Sequence, residues 1–323
     1  MKSTKGVCVI ICTFNGEMRL EKTLNHLAQQ DFTNLLECEL IVVDNNSSDN
    51  TRQIALENWN NYSLTWTSFK VIEEHQPGLS FARQKGIDEA NYEYIIFCDD
   101  DNWLDKNYVE TAFNIISGDP KIAALGGQST ATASIAIPDW FEGSKSNYAV
   151  GQQADETGDV TSREFLWGSG IVIRKSIYQL AYLQFPSLLT GRKGQTLSAG
   201  EDSEMCLRFM IMGYRLYYSD QLKFQHFISE ERLTPQYNDN LRVGFVQAYE
   251  ILKLYSAFYH VHFSPLKRKL ALMIKAILKK ILSKPLLGEE KLNLYTLLGW
   301  EYEHMDKNFR LIKAFAKSTP ENQ

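Results

Sequence analysis

At 323 residues the chain is long enough to bury a large core, as one big domain or two tightly joined ones. Hydrophobic residues at 44% and charged residues at 23% are the ordinary proportions of a soluble globular protein, and a net charge of −5 argues against a general nucleic-acid binder. No stretch reaches the length of a membrane span, and the apolar run Val7–Cys12 is too short for a secretion signal.

The first third alternates strand and helix signals. Val7–Cys12 predicts a strand, Thr13–Gly16 a turn, and Glu17–Gln30 a helix with Leu20, Leu24 and Leu27 on one face. Leu40–Val43 predicts a second buried strand, ending in the polar loop Asp44–Asp49, where Asp49 can cap a helix from Asn50 to about Trp59. Lys70–Ile72 is a weaker third strand. Pro77-Gly78 marks a turn, Ser80 is a candidate cap, and Phe81–Ala90 reads as helix. Tyr94–Cys98 is a nearly unbroken apolar run, the pattern of a strand buried on both faces, and it ends in Asp99, Asp100 and Asp101.

This alternation implies a mainly parallel sheet flanked by helices, with ligands bound at the carboxyl ends of its strands. Those ends carry Thr13-Phe14-Asn15, Asp44, Glu73-Glu74 and the three aspartates, so polar groups gather on one rim. The five cysteines are scattered and odd in number. Cys8, Cys12 and Cys98 lie in apolar runs, and no Cys-x-x-Cys occurs, which is a reduced, cytoplasmic style of usage.

From about Asp119 to Tyr237 the pattern is less regular. It holds Gly126-Gly127, a long loop from Ser129 to Gly158, a strand-like Gly170–Ile173 and a helix Ser203–Met212. Thr190–Gly200 is a Gly-rich polar segment and a candidate lid. Beyond Tyr237 the chain reads as helix. Its organisation divides into residues 1–118, 119–237 and 238–323. Within the last part, Leu266–Lys284 mixes Lys and Arg with Leu, Ile and Met and contains no acid. As a helix it puts Leu266, Leu270, Met273, Ile274, Ile277 and Ile281 on one face, with Arg268, Lys275 and Lys279 opposite. That suits an anionic membrane surface, such as the inner face of the cell membrane, or a helix packed on the body with a solvated basic face.

Three adjacent carboxylates repel one another, and a divalent cation or a network of donors relieves that repulsion. Asp99 and Asp101 are two apart, so an extended backbone aims both to one side, where Mg²⁺ or Mn²⁺ carrying a phosphorylated ligand would fit. An acidic, solvated turn capping the next helix is the plainer reading. No phosphate-binding Gly-x-x-x-x-Gly-Lys-Ser/Thr occurs, no Gly-x-Gly-x-x-Gly follows the first strand, and there is no Gly-x-Ser-x-Gly or His-Glu-x-x-His. A second acidic group, Glu201-Asp202, opens the later helix, where the helix dipole by itself favours acids.

Five features in order resemble the inverting glycosyltransferases of family 2. These are Val9–Asn15, Val42–Asp49, Gly78–Ile87 with Gln84 where Asn is commoner, Asp99–Asp101, and Glu201-Asp202. Together they cover about residues 7 to 230. The resemblance implies a GT-A fold, Rossmann-like α/β with a mainly parallel central sheet, here with a C-terminal helical extension. It implies a nucleotide-diphospho-sugar donor, most simply a UDP-sugar, and a glycan or lipid-carrier-linked acceptor in cell-surface polysaccharide synthesis. Thr13, Phe14, Asn15, Glu17, Asp44, Arg83, Asp99 and Asp100 would form the nucleotide-sugar site. Asp101, Asp99 and His226 would hold Mn²⁺ or Mg²⁺. Asp202, or its neighbour Glu201, would be the general base, and Trp167 and Gly168 would face the acceptor. A sugar nucleotidyltransferase and a non-catalytic binding subunit are the rival readings.

Overall fold

The computed structural model describes residues 4–32, 36–62, 67–189, 191, 199–263, 266–281, 297 and 307–319. A single mixed sheet runs through it. Its strands are β1 (Thr4–Thr13), β2 (Cys38–Asp44), β3 (Thr67–Glu73), β4 (Tyr92–Asp99), β5 (Asn102–Leu104), β6 (Ile122–Thr132), β7 (Gly158–Asp159), β8 (Val172–Arg174) and β9 (Arg215–Phe227). Their order is β3-β2-β1-β4-β8-β6-β9-β5, with β7 on β9. The helices are α1 (Leu20–Ala28), α2 (Thr51–Asn61), α3 (Leu79–Glu89), α4 (Tyr108–Gly118), α5 (Lys175–Tyr182), α6 (Glu201–Ile211), α7 (Pro235–Phe263), α8 (Leu266–Ile281) and α9 (Lys307–Ser318).

Side chains alternate across a strand, so each central strand feeds two cores. Cys8, Ile10, Ile95 and Phe97 pack on one face with Ala82 and Ile87 of α3, Tyr178 of α5, Phe209 of α6, Phe258 of α7 and Phe315 of α9. Val7, Val9, Ile11, Ile96 and Cys98 pack on the other with Leu24 of α1, Trp59 of α2 and Ile116 of α4. Strands buried on both sides read as unbroken apolar runs, which is why β1, β2 and β4 stand out in the sequence.

The parallel register sets the functional edge. Thr13 pairs with Asp44, Asp44 with Glu73, and Cys12 with Asp99, so β1 to β4 end together. The second half of the sheet is mixed: β8 runs antiparallel to β4 and β6, and β5 and β7 antiparallel to β9, while β6 and β9 are parallel. Strand–helix alternation stops after α4, so nothing in the pattern announces this mixture.

Several elements differ from the sequence reading. Ser129–Thr132, expected as loop, continues β6, and Asp139–Tyr148 forms a 3-10 helix. Ser80 lies inside α3, whose cap is Gly78 at φ 138°, a conformation that strains any residue with a Cβ. Asp49 does satisfy the start of α2, accepting the Thr51 N–H at 3.0 Å. Most of Thr190–Gly200 and of Leu282–Lys284 lies outside the described residues. All five cysteines are free, four of them buried. Among the described residues no helix is long and apolar enough to cross a membrane.

The second half is tied together by a buried ion pair. Glu204 and Arg208 lie 2.8 Å apart, with side chains 0% and 2% exposed. Glu204 also accepts the Leu188 and Leu189 N–H groups and the Tyr255 hydroxyl at 2.7 Å, joining α6 to α7 and to the segment before the candidate lid. Arg208→Met removes the cation and leaves the carboxylate buried. Urea unfolding should show a loss of about 3–5 kcal/mol; a loss under about 1 kcal/mol would mean that the remaining donors suffice.

Candidate functional site

A cleft of about 1360 Å³ opens at the carboxyl edge of the sheet. Its walls are the ends of β1 and β4, the start of α3, residues 163–169, the start of α6, the end of β9 and one side of α7. The acidic triplet forms its floor. The chain turns straight after Asp99, so the three aspartates do not stay extended as the sequence suggested, and each meets a different partner.

Asp100 is directed to the side of the rim formed by Thr13–Arg19. Arg19 donates to it from Nε at 3.1 Å and Nη2 at 2.9 Å, and Thr13 Oγ1 donates at 2.6 Å. Burial pushes its carboxyl above the usual range even with Arg19 beside it. With both oxygens engaged, Asp100 anchors Thr13–Arg19 rather than presenting a free acceptor. The same rim is zipped to the loop after β2. Asn15, at φ 49°, accepts the Ser48 N–H at 2.9 Å, Asp44 accepts the Ser47 N–H at 3.0 Å, and Glu17 accepts the Asn50 N–H at 2.9 Å. Thr13 and Phe14 line the cleft, and Phe14 is 47% exposed at its mouth. Asn15, Glu17 and Asp44 do not line the cleft; their side chains are engaged with the loop after β2.

Asp101 is held from the other end of the chain. Strand β5 pairs with β9 so that Asn102 lies opposite His226. His226 Nε2 stands 3.5 Å from Asp101 Oδ1, and Arg232 donates to Oδ2 at 2.7 Å. Burial would raise the Asp101 carboxyl, but His226 and Arg232 outweigh it and hold the group well below the ordinary carboxylate range.

The third cluster joins Asp99 to the acids of α6. Ser169 Oγ donates to Asp99 at 2.8 Å, and its neighbour Gly168 donates its N–H to Asp202 Oδ2, also at 2.8 Å. Ser203 N–H donates to the other Asp202 oxygen at 2.8 Å. Arg83, expected at the ribose or diphosphate, lines the cleft beside them and is largely buried. Its Nη1 lies 3.6 Å from Glu201, and its guanidinium stacks over Phe97 at 4.9 Å. Gly168 is required here by close approach, since a Cβ would sit 2.9 Å from Arg83 Nη2 and 3.3 Å from Asp202 Oδ2. Trp167 lines the cleft next to Phe165, and the Arg163 guanidinium lies over both rings, at 5.3 and 4.2 Å.

The structure therefore gathers Thr13, Phe14, Arg83, Asp99, Asp100, Asp101, Trp167, Gly168, Glu201, Asp202 and His226 around one cleft. Three members went unassigned in the sequence. Arg19 carries no local signal, Ser169 is marked only as a member of the small-residue segment Trp167–Gly170, and Arg232 only by its nearness to His226.

The donor set was tested for a divalent cation. Among the described residues, no group of three or more His, Cys, Asp or Glu side chains can hold an ion. Asp101 Oδ1 and His226 Nε2, at 3.5 Å, are too far apart for a good hydrogen bond, but two ligands of one small ion can share such a spacing. The His226 Nδ1 is buried without a hydrogen-bond partner among the described residues, so nothing yet fixes its tautomer. Asp101 Oδ1 also accepts the Asn102 side-chain N–H at 3.0 Å and Oδ2 the Arg232 guanidinium, so the pair offers an ion two ligands at most and phosphate oxygens and water would have to complete the shell.

Two family models match the chain, each over more than half of its length. Glycosyl transferase family 2 matches residues 8–179, and glycosyl transferase family group 2 matches residues 94–265. EpsH of Bacillus subtilis (strain 168), a putative glycosyltransferase, is 34% identical over 107 residues, which make 33% of this chain and 29% of EpsH. The cholesterol galactosyltransferase of Borreliella burgdorferi is 33% identical over 113 residues, 35% of this chain and 30% of that protein. The matched segment thus spans less than a third of either relative. Residues 1–349 of S. aureus TarS, solved in complex with UDP-GlcNAc, superpose with a TM-score of 0.53 over 97% of this chain and 91% of that one, at 18% identity. That likeness is one of fold.

The Asp101 cluster makes a testable statement about pH. A carboxyl held low in the folded state contributes stability that is fully present above its unfolded pKa, about 3.9, and is lost as pH falls through the folded value. Arg232→Met weakens that depression. In metal-free buffer the variant should be less stable than wild type by about 3 kcal/mol at neutral pH, with the gap closing below about pH 4. Guanidinium unfolding across the range measures it, and a gap independent of pH would contradict the assignment.

Proposed function

The chain belongs to glycosyl transferase family 2, and from that premise we propose that it is a metal-dependent, inverting glycosyltransferase of GT-A fold. It would move a sugar from a UDP-sugar to a hydroxyl of a glycan or carrier-linked acceptor. The observation that carries this reading is the meeting of two acidic clusters in one cleft. Asp99–Asp101 and Glu201-Asp202 are joined by the adjacent residues Gly168 and Ser169 and by Arg83. The first cluster suits the leaving diphosphate and the second suits the attacking hydroxyl.

Asp202 would take the proton of the acceptor hydroxyl as that oxygen bonds to the anomeric carbon, while the bond from that carbon to the diphosphate oxygen breaks on the opposite face. The anomeric centre inverts and the nucleoside diphosphate leaves. Glu201 is the weaker candidate because it faces the buried Arg83, whereas Asp202 is oriented by two backbone N–H groups on the Trp167 wall. Trp167 and Phe165 would offer aromatic faces to a sugar ring.

Asp101 and His226 would hold Mn²⁺ or Mg²⁺. The bound ion would neutralise charge gathering on the departing diphosphate. Charge balance supports this. Asp99, Asp100, Asp101, Glu201 and Asp202 outnumber Arg19, Arg83 and Arg232 by two, so a diphosphate entering the cleft needs more positive charge. TarS, solved with UDP-GlcNAc, is the precedent for a UDP-sugar, and a galactosyltransferase named for cholesterol is a precedent for a lipid acceptor. Cell-surface polysaccharide synthesis on the cytoplasmic side of the membrane would be the setting.

Asp202→Asn should lower release of nucleoside diphosphate from the donor, in the presence of acceptor, by about 10²–10⁴-fold. Nucleotide affinity measured by calorimetry should stay within about threefold, below 1 kcal/mol. Loss of nucleotide binding as well would remove the base role, and pyrophosphate as the product would make the chain a nucleotidyltransferase.

A further inference from the structure

The basic helix α8 takes no part in the cleft, and its exposure differs from that of an otherwise similar helix, α9. Both are amphipathic and rich in lysine. In α9 the apolar face is packed away, with Phe309, Ile312, Phe315 and Ala316 at 1–3% exposure in the core beside α7. In α8 the corresponding face is open: Leu270 is 48% exposed, Ile274 and Ile277 56%, and Leu278 52%. At 100° per residue these four fall within an arc of about 100°, so they form one stripe along a helix about 24 Å long. A helix packed on the body with only its basic face in solvent would have buried them.

The charge of α8 is opposite to that of the whole chain. Leu266–Ile281 contains six Lys and Arg residues and no Asp or Glu, in a protein of net charge −5. We infer that α8 is a docking element for the surface of an anionic lipid bilayer, with Leu270, Ile274, Ile277 and Leu278 entering the headgroup boundary and the lysines meeting lipid phosphates. An apolar stripe flanked by cations matches that interface on both counts, whereas a second copy of the chain would bring an equally basic helix alongside. The element is coupled to the cleft through α7. Lys269 Nζ donates to the His262 carbonyl at 2.9 Å at the α7–α8 junction, and Phe245, Tyr249 and Leu252 of α7 line the cleft. Docking would therefore hold one wall of the cleft near the membrane. The inference goes beyond the transfer reading and stands without it.

The test is sedimentation of the full-length protein, without nucleotide, with phosphatidylcholine vesicles containing about one third phosphatidylglycerol. Binding is expected there, at least about tenfold weaker on pure phosphatidylcholine, and about tenfold weaker again when salt rises from about 0.05 to about 0.5 M. Ile274→Glu with Ile277→Glu should cut the partition at least about tenfold while leaving thermal unfolding unchanged, because both positions are exposed. Lys267→Gln with Lys275→Gln should remove the preference for anionic lipid. No sedimentation with either vesicle, or binding indifferent to these substitutions, would overturn the inference. So would a wild-type dimer in sedimentation velocity that the isoleucine substitutions dissolve, since that assigns the stripe to a second copy.

Discussion

The site depends on one constraint: five carboxylates must share a largely buried rim without repelling one another apart. The chain meets it by giving the acids fixed counterparts from distant segments. Asp100 has Arg19, Asp101 has Arg232 and His226, and Glu201 has Arg83, while Asp99 and Asp202 are held by Ser169 and the Gly168 N–H. Every such contact crosses the fold. The Arg232–Asp101 pair closes a separation of 131 residues, and the Ser169–Asp99 bond one of 70. Removing a cation here leaves a desolvated charge uncompensated, so the geometry of the cleft and the stability of the two halves are linked.

This arrangement also fixes the rim through contacts within the chain itself. The aspartates do not act as an interchangeable group. Asp100 braces the Thr13–Arg19 segment, Asp101 faces His226 with one oxygen and Arg232 with the other, and Asp99 is tied to the segment that orients Asp202. One turn after β4 thus connects the Thr13–Arg19 side of the cleft to the start of α6. Gly168 is a tight point of that connection, because a side chain there would press on the Arg83 guanidinium and the Asp202 carboxylate together.

Much of the fold was legible because strands buried on both faces are unbroken apolar runs and because their polar ends fall in register. Thr13, Asp44, Glu73 and Asp99 could be placed on one edge from the alternation of strands and helices alone. The mixed half was not legible. Strands β5 and β7 have two or three residues each, too few for a periodic signal, and although Gly170–Ile173 announced β8, nothing in it showed that the strand runs antiparallel to its neighbours. The acids of the site were visible as clusters, but their counterparts were not, since a single Arg19, Ser169 or Arg232 gives no sign of a partner far along the chain. Arg83 was visible and its surroundings were not: nothing in the sequence showed the Glu201 carboxylate near its guanidinium or the Phe97 ring against it. The wheel of the basic helix carried both a packed and a membrane-facing reading, and the exposure of Leu270, Ile274, Ile277 and Leu278 is what the wheel could not show.

The central claim is that this acidic rim takes a nucleoside diphosphate through a divalent ion seated at Asp101. Calorimetric titration of UDP, GDP, CDP and dTDP, each with and without Mn²⁺, on the wild type and on Asp101→Ala tests it most directly. The account predicts that one nucleotide, UDP, binds only when the metal is present, and that Asp101→Ala abolishes that binding. Nucleotide binding that survives both chelation and Asp101→Ala, or no binding by any of the four, would contradict it.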